Sequence, residues 1–145
     1  MTTLWTIGYE RLLPEELVAE LEAAGIERLI DVRFRPQSRR AGMSKTRLGE
    51  RLADHGIAYE HRRSLGTPPD IRHLFRTKRF PEAWERYTEH VEATAADELD
   101  ALAAELPRAP RTVLLCLEAE PEGCHRRLVA EALKRRLGDL EIVHL

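Results

Sequence analysis

Apolar runs alternate with amphipathic stretches along the first half of the chain. The run at residues 4–7 predicts a strand that ends in Gly8-Tyr9, and residues 14–24 carry apolar side chains at helical spacing up to a stop at Gly25. The same alternation predicts a second strand at 28–32, a polar loop at 33–43, a second helix with Ser44 as its N-cap, and a third strand at 57–60.

The second half of the chain predicts longer helices and two more strands. Prolines make residues 65–69 irregular, and a short helix follows near 71–76. A helix starting at Pro81 and broken near residues 95–97 is predicted from apolar residues at helical spacing, namely Phe80, Trp84, Tyr87, Val91, Leu99, Leu102 and Leu106. This periodicity indicates core packing rather than a ligand site. Residues 112–117 predict a buried strand, 128–137 a helix ending at Gly138, and 141–145 a last strand.

Strands that alternate with helices predict an α/β fold. We expect a single domain over residues 1–145, with a mainly parallel sheet flanked by helices in Rossmann-like layers. In such sheets ligands bind beyond the carboxyl ends of the strands. The loops that follow the first, second and fourth strands are therefore the expected location of the functional site.

Composition agrees with a globular protein that has one core. The chain has 145 residues, of which 43% are hydrophobic and 33% charged, which excludes a low-complexity or disordered class. No basic region followed by an apolar stretch begins the chain, and no run approaches the roughly 20 apolar residues of a membrane span, so we expect neither export by that route nor a membrane partner. The two cysteines suit a reducing compartment, and we expect a cytoplasmic location.

Positive charge is concentrated in one segment although the net charge is only -2. Residues 28–51 contain eight basic side chains against two acidic ones, Asp31 and Glu50. Such a run is explained equally well by a solvated face and by an anionic partner. The sequence does not indicate an oligomeric state.

The three loops contain the candidate site residues. Those proposed to bind an anionic substrate are Tyr9, Arg33, Ser38, Arg39 and Arg126, and those proposed to act in catalysis are Cys124, Glu118 and His125. Arginine has a planar charged fork that suits carboxylate or phosphate, and a helix starting near Cys124 would add backbone N–H groups. The structural alternative for Arg33 is a salt bridge with Asp31 or Glu118, while simple exposure is favoured for Arg35 and Arg40.

Cys124 next to His125 and Arg126 is in a setting that lowers a thiol pKa, which would make it a nucleophile. The alternative is a small buried apolar side chain, and this second interpretation is favoured for Cys116 within its apolar strand. His125 is interpreted either as a proton-transfer group or as an exposed neighbour of the helix cap.

Several familiar chemistries do not fit the sequence. The cysteines lack the paired spacing of structural zinc sites, so no metal site is predicted and no cofactor is assigned. Phosphate-binding P-loops, dinucleotide-binding glycine motifs, zinc-protease motifs and the nucleophile elbow are absent, as is a Cys-x5-Arg phosphatase loop.

The motifs resemble, in combination, the family called domain of unknown function 488. They are Thr6-Ile7-Gly8-Tyr9, Asp31-Val32-Arg33-x-x-Pro36-x-Ser38-Arg39, Gly56-Ile57-x-Tyr59, Leu65-Gly66 and Cys116-x-Glu118-x-x-Pro121-x-x-Cys124-His125-Arg126. The resemblance implies that these polar positions form a shared surface, which includes His144. It brings no established reaction.

Three functions remain open from the sequence. The first is an enzyme acting on a phosphorylated or otherwise anionic small molecule such as a nucleotide, with arginines binding charge and Cys124 or Glu118 performing the chemistry. The second is a nucleic-acid-binding module that uses the basic segment 28–51 together with Phe34 and Tyr59. The third is a thiol redox or metal sensor that uses Cys116 and Cys124.

Overall fold

A computed structural model describes residues 1–145 and shows one sheet of five parallel strands in the order β3-β2-β4-β1-β5. The strands are β1 Thr2–Gly8, β2 Arg28–Asp31, β3 Ala58–His61, β4 Thr112–Cys116 and β5 Leu140–His144. The helices are α1 Pro14–Ala23, α2 Lys45–Asp54, α3 Pro69–Arg76, α4 Glu82–Thr94, α5 Ala96–Glu105 and α6 Arg126–Leu137. The predicted α/β class is confirmed, and the sheet is entirely parallel.

Alternation of side chains along the strands divides the core into two layers. In β4, Val113 and Leu115 belong to one hydrophobic cluster, whereas Leu114 and Cys116 belong to the other. Helices α1 and α2 pack on the first face, and α3 to α6 pack on the second. Because both faces are covered, β4 is buried along its whole length, as its continuous apolar run predicts.

The predicted helices are present, with one local difference. The long helix after Pro81 is interrupted at Ala95 as expected, which separates α4 from α5. Ser44 precedes α2 as predicted, but its hydroxyl does not cap the helix. It accepts a hydrogen bond from the Ser38 backbone N–H at 2.9 Å and donates to the Ser38 carbonyl at 3.2 Å. Ser44 therefore closes the loop that follows β2.

The aromatic stripe around the start of α4 packs on the core, as predicted, with Tyr87 inside it and Phe80 and Trp84 partly buried against it. Tyr87 is fully buried and its hydroxyl donates to the Leu65 carbonyl at 2.5 Å, while Phe80 and Trp84 stack on each other at the edge of the same cluster. None of the helices is both long and apolar enough to cross a bilayer.

Candidate functional site

The loops that follow β1, β2 and β4 meet at the carboxyl edge of the sheet. The backbone N–H of Tyr9 donates to the Cys116 carbonyl at 3.2 Å, and that of Val32 donates to the Leu115 carbonyl at 3.1 Å. The His125 ring, which precedes α6, contacts the Val32 carbonyl through Nε2 at 2.6 Å. The predicted location of the site at this edge therefore brings most of the candidate residues together.

Arg33 is the centre of a buried polar cluster behind the loop that follows β2. Its guanidinium donates to the Asp31 carboxylate, with Nη2 2.7 Å from Oδ2, to the Tyr9 hydroxyl at 3.1 Å and to the Met43 carbonyl at 2.8 Å. The salt bridge with Asp31 considered from the sequence is confirmed. Because these contacts engage its guanidinium on several sides, Arg33 acts by holding the loop in place.

Tyr59 completes this cluster from β3. Its hydroxyl donates to Asp31 Oδ2 at 2.5 Å. Burial, together with the hydrogen bond to the carboxylate, raises the pKa of Tyr59 above its ordinary value. The hydroxyl therefore stays protonated and remains a donor to Asp31.

Arg126 is a second buried arginine, and it has no carboxylate as a hydrogen-bond partner. Its Nε donates to the Thr6 hydroxyl at 3.1 Å, and its Nη1 and Nη2 donate to the carbonyls of Glu118 and, at 3.2 Å, of Ala119. Burial lowers the pKa of Arg126 to about 10, against the opposing charge of Glu118. A glycine is required at position 8, because a Cβ there would overlap the Glu118 carbonyl that accepts from Arg126.

A hydrogen-bonded chain runs from Arg126 to the last strand. Thr6 accepts from Arg126 Nε, so its single hydroxyl proton is free to donate to His144 Nδ1, 2.5 Å away. This assigns His144 the neutral tautomer with its proton on Nε2. Partial burial and the nearby charge of Arg126 both lower the pKa of His144, which agrees with that assignment.

The two cysteines lie against each other beneath the loop that follows β4. Cys116 and Cys124 are bonded as a disulfide, and each is 1% exposed. In this state Cys124 is not the free thiol that a nucleophile requires. Cys116 is buried, as its apolar surroundings predict, but its pairing with Cys124 was not part of that prediction.

His125 lies beside Cys124 in a fully defined orientation. Its Nε2 faces the Val32 carbonyl, which can only accept, so Nε2 carries the proton and Nδ1 presents a lone pair 3.9 Å from Cys124 Sγ. Burial lowers the pKa of His125 to about 4, and the charges of Arg72 and Arg126 act in the same direction. His125 is therefore neutral and buried, so it is not an exposed cap neighbour.

Three side-chain atoms near the disulfide are close enough together to bind one metal ion. Cys116 Sγ, Cys124 Sγ and His125 Nδ1 all lie within 4.8 Å of one another. Cysteine ligates metals as a thiolate, so the bonded pair would first have to be reduced. The sequence predicts no metal site because these residues lack the familiar spacing, and their proximity comes from the fold.

Glu118 is one of four glutamates, with Glu10, Glu120 and Glu122, that line one cavity at this edge. Its Oε2 lies 3.4 Å from Cys116 Sγ, and its side chain lines a cavity of about 610 Å³ together with Phe75, Arg76 and Gly123. Burial raises the pKa of Glu118 above its ordinary value, although the charges of Arg72 and Arg126 oppose this effect. A carboxylate with a raised pKa can exchange a proton near neutral pH more readily than an exposed one.

A second, arginine-lined cavity lies between α3 and the loop that follows β2. It has a volume of about 380 Å³ and is lined by Phe34, Arg35, Gln37, Thr67, Pro69, Arg72 and Arg76. Arg76 lines both cavities. The lining contains no acidic side chain, and none of its three arginines forms a salt bridge. These arginines are thus available to an anion.

Sequence reasoning did not single out Arg72 and Arg76. They are four residues apart on α3, so they lie on the same side of that helix. The spacing of these two arginines is visible in the sequence, but the sequence does not show that they lie opposite the loop that follows β2. Arg35 was assigned to simple exposure, and the structure places it at this cavity, where it remains exposed.

The remaining candidates lie in the loop after β2. Ser38 accepts a hydrogen bond from the Arg40 backbone N–H at 3.1 Å, and Arg39 is exposed. Arg40 was expected to be merely exposed, but it is half-buried because its guanidinium donates to the carbonyls of Tyr9, at 2.9 Å, and of Glu10. Part of the basic segment therefore holds loops together rather than facing solvent.

Comparison with known proteins gives one match. A family model described as Domain of unknown function DUF488 matches residues 14–133, which include Arg33, Arg72, Glu118 and Cys124. No curated protein and no solved structure matches the chain.

Proposed function

The chain belongs to the family described as Domain of unknown function DUF488, and we propose that it is an enzyme acting on a phosphorylated or otherwise anionic small molecule. The observation that carries this proposal is the cavity with three arginines and no acidic residue, which shares Arg76 with the cavity of Glu118, a carboxylate whose pKa is raised. Family membership itself brings no reaction.

The arginine cavity has the size and charge for a small anion. Its volume of about 380 Å³ falls within the roughly 300–1,000 Å³ range of ligand pockets. Arginine forks bind phosphate or carboxylate in two-point contacts, and the Phe34 ring in the lining offers an apolar surface. A nucleotide-like ligand, with an anionic group and a flat apolar part, fits this combination.

Glu118 is the group we assign to proton transfer. Its raised pKa keeps a larger share of the carboxyl protonated at neutral pH than an exposed glutamate would have, so it can donate a proton to a leaving oxygen or accept one from water. Arg33 and Arg126 do not contact the ligand in this scheme. They hold the two loops that position Arg35 and Glu118.

Binding is tested first with inorganic phosphate and a nucleoside monophosphate, by calorimetry and thermal shift. Arg72→Gln and Arg76→Gln should each weaken binding about tenfold, the effect expected from loss of one charge-assisted contact. Arg108→Gln is the matched control, because Arg108 is exposed and precedes β4 at the opposite edge of the sheet. Absence of binding, or an equal effect in the control, would overturn the anion site.

Turnover is tested with a panel of phosphorylated small molecules followed by phosphorus NMR. Glu118→Gln removes the transferable proton but keeps the shape, so it should retain binding and lose turnover. If the variant turns over any identified substrate at the wild-type rate, Glu118 is not the proton-transfer group. Salt-sensitive binding of a short oligonucleotide without binding of the mononucleotide would instead favour the nucleic-acid module.

A further inference from the structure

A bond between two cysteines joins the ends of the connection between β4 and α6. Cys116 is the last residue of β4, Cys124 lies just before α6, and the bond between them spans a sequence separation of 8. We propose that Cys116 and Cys124 form a reversible two-electron thiol–disulfide couple, which a small peroxide oxidises and a dithiol reduces. The couple encloses the segment that carries Glu118.

Two neighbouring groups orient the Cys124 sulfur. His125 Nδ1 presents its lone pair 3.9 Å from Cys124 Sγ, because the hydrogen bond from Nε2 to Val32 fixes the tautomer. The backbone N–H of Arg126, at the start of α6, donates to the same sulfur at 3.4 Å. In the reduced protein His125 Nδ1 can therefore accept a hydrogen bond from the Cys124 thiol, and together the two contacts fix the direction of the sulfur.

Cys116 is placed to complete the bond. Its sulfur lies 3.7 Å from Arg126 Nη1, a positive charge that stabilises a thiolate, and 3.4 Å from Glu118 Oε2. In the reduced state the Cys116 thiol donates a hydrogen bond to Glu118, and in the disulfide it cannot. The redox state of the pair thus changes the surroundings of Glu118. Only the effect of this change on catalysis by Glu118 rests on the proposed function; the redox couple itself does not.

The oxidation balances with hydrogen peroxide as the co-reactant. The Cys124 thiolate attacks one peroxide oxygen, the O–O bond breaks, and the protonated leaving oxygen departs as water to leave a sulfenic acid. Cys116 sulfur then attacks Cys124 sulfur, the S–O bond breaks, and a second water leaves. The two thiols lose two protons and two electrons in total, and one peroxide molecule takes them up to form two water molecules. A dithiol reverses the change by thiol–disulfide exchange.

Burial of the pair selects a small reactant. Each cysteine is 1% exposed, so a protein partner cannot reach the sulfurs in this conformation. The cavity of about 610 Å³ is lined by Gly123, the neighbour of Cys124, and by Glu118, which contacts Cys116. This cavity therefore borders a residue next to each cysteine and is the route that we assign to the peroxide.

The test uses the intact protein, reduced with dithiothreitol, freed of reductant and then exposed to peroxide. We expect a mass lower by two hydrogen atoms and loss of alkylation at both cysteines, each reversed by dithiothreitol. In Cys116→Ser the single Cys124 should instead accumulate as a sulfenic acid that dimedone traps. His125→Phe should slow oxidation about tenfold by removing the hydrogen-bond acceptor that orients the Cys124 thiol, with circular dichroism confirming that the variant is folded.

Two results would overturn the proposal. One is that both cysteines remain open to alkylation after peroxide treatment of the folded protein. The other is that the reduced protein holds one equivalent of zinc through the two thiolates and resists peroxide until a chelator removes it, which would make the same atoms a metal site. Neither readout needs a ligand for the arginine cavity, so failure here is distinct from failure of the proposed function.

Discussion

Two buried arginines each follow one partner of the hydrogen bond between His125 and Val32, and their charges are balanced in different ways. Arg33 pairs with the Asp31 carboxylate, whereas Arg126 donates to a hydroxyl and to backbone carbonyls. Burial opposes the charge of Arg33, yet the bonds to Asp31 raise its pKa above the ordinary value. Burial lowers the pKa of Arg126 to about 10.

This difference in hydrogen-bond partners gives the two arginines different roles: Arg33 holds a loop, whereas Arg126 also acts on the charges of the site. The charges of Arg33 and Asp31 neutralise each other at 2.7 Å, so little net charge from this pair acts on the site. The charge of Arg126 is not cancelled by a paired carboxylate, and it acts on Glu118, His125 and Cys116. Residue type alone does not distinguish these two roles, whereas the hydrogen-bond partners do.

The largest expected effect comes from breaking the Arg33 pair. Arg33→Met leaves the fully buried Asp31 carboxylate without its counter-charge, and we expect a loss of about 3–5 kcal/mol in the free energy of unfolding. Urea denaturation followed by circular dichroism measures this loss.

Two further variants sharpen that measurement. Adding Asp31→Asn to Arg33→Met removes the unpaired charge and should recover part of the stability. Arg86→Met is the control, because the salt bridge between Arg86 and Asp70 is exposed and is expected to contribute at most about 1 kcal/mol. If Arg33→Met costs no more than Arg86→Met, the Arg33 cluster does not hold the loop.

His125, which joins the two arginine regions, gives a pH dependence. Its pKa falls from an ordinary 6.5 to about 4 on folding, so between these values the unfolded chain binds a proton that the folded chain does not. The contribution of His125 is fully present above pH 6.5 and is lost as the pH falls towards 4, by at most about 3 kcal/mol. Urea denaturation across this range tests it.

The comparison with His125→Asn isolates this contribution from those of its neighbours. Arg72 and Arg126 lower the pKa of His125, and Asp31 opposes them. Glu118 acts on stability in the opposite direction, because its raised pKa makes the folded state bind a proton first as the pH falls. A variant with the same slope as the wild type between pH 6.5 and 4 would show that His125 is not the buried neutral group.

Replacing Arg126 should cost less than replacing Arg33. Arg126→Met removes the hydrogen bonds to the Glu118 and Ala119 carbonyls without leaving a buried carboxylate behind. We expect a loss of about 1.5–3 kcal/mol by the same urea assay. A loss equal to or larger than that of Arg33→Met would contradict the comparison.

Hydrophobic periodicity predicted the elements of the fold because it reports which face of each element is buried. The apolar run of β4 and the interrupted helix around Ala95 are both visible in the sequence and both present. The convergence of the loops after β1, β2 and β4 followed from the geometry of parallel sheets.

Periodicity does not report which polar groups of different elements meet. The Tyr9 hydroxyl and the Met43 carbonyl reach Arg33 from separate loops, and Cys116 reaches Cys124 only because the β4–α6 connection turns back on itself. Arg72 was missed for the same reason, since its importance depends on the loop that α3 faces. Such contacts depend on tertiary packing, and one sequence carries no direct record of them.

The smallest expected effect tests the outer end of the Arg126 network. Thr6→Val keeps the shape of the side chain but removes the hydroxyl that joins Arg126 to His144, and we expect a loss of about 1 kcal/mol because water can replace the partner of the exposed His144. Thr3→Val is the matched control on the same strand, since the Thr3 hydroxyl makes only a 3.5 Å exposed contact, and its stability should change by less than about 0.5 kcal/mol. Nitrogen NMR of His144 should show the Nε2-protonated tautomer in the wild type and a tautomer mixture in Thr6→Val. If the wild type already shows a mixture, Thr6 does not hold His144 in one tautomer, and the hydrogen-bonded chain from Arg126 ends at Thr6.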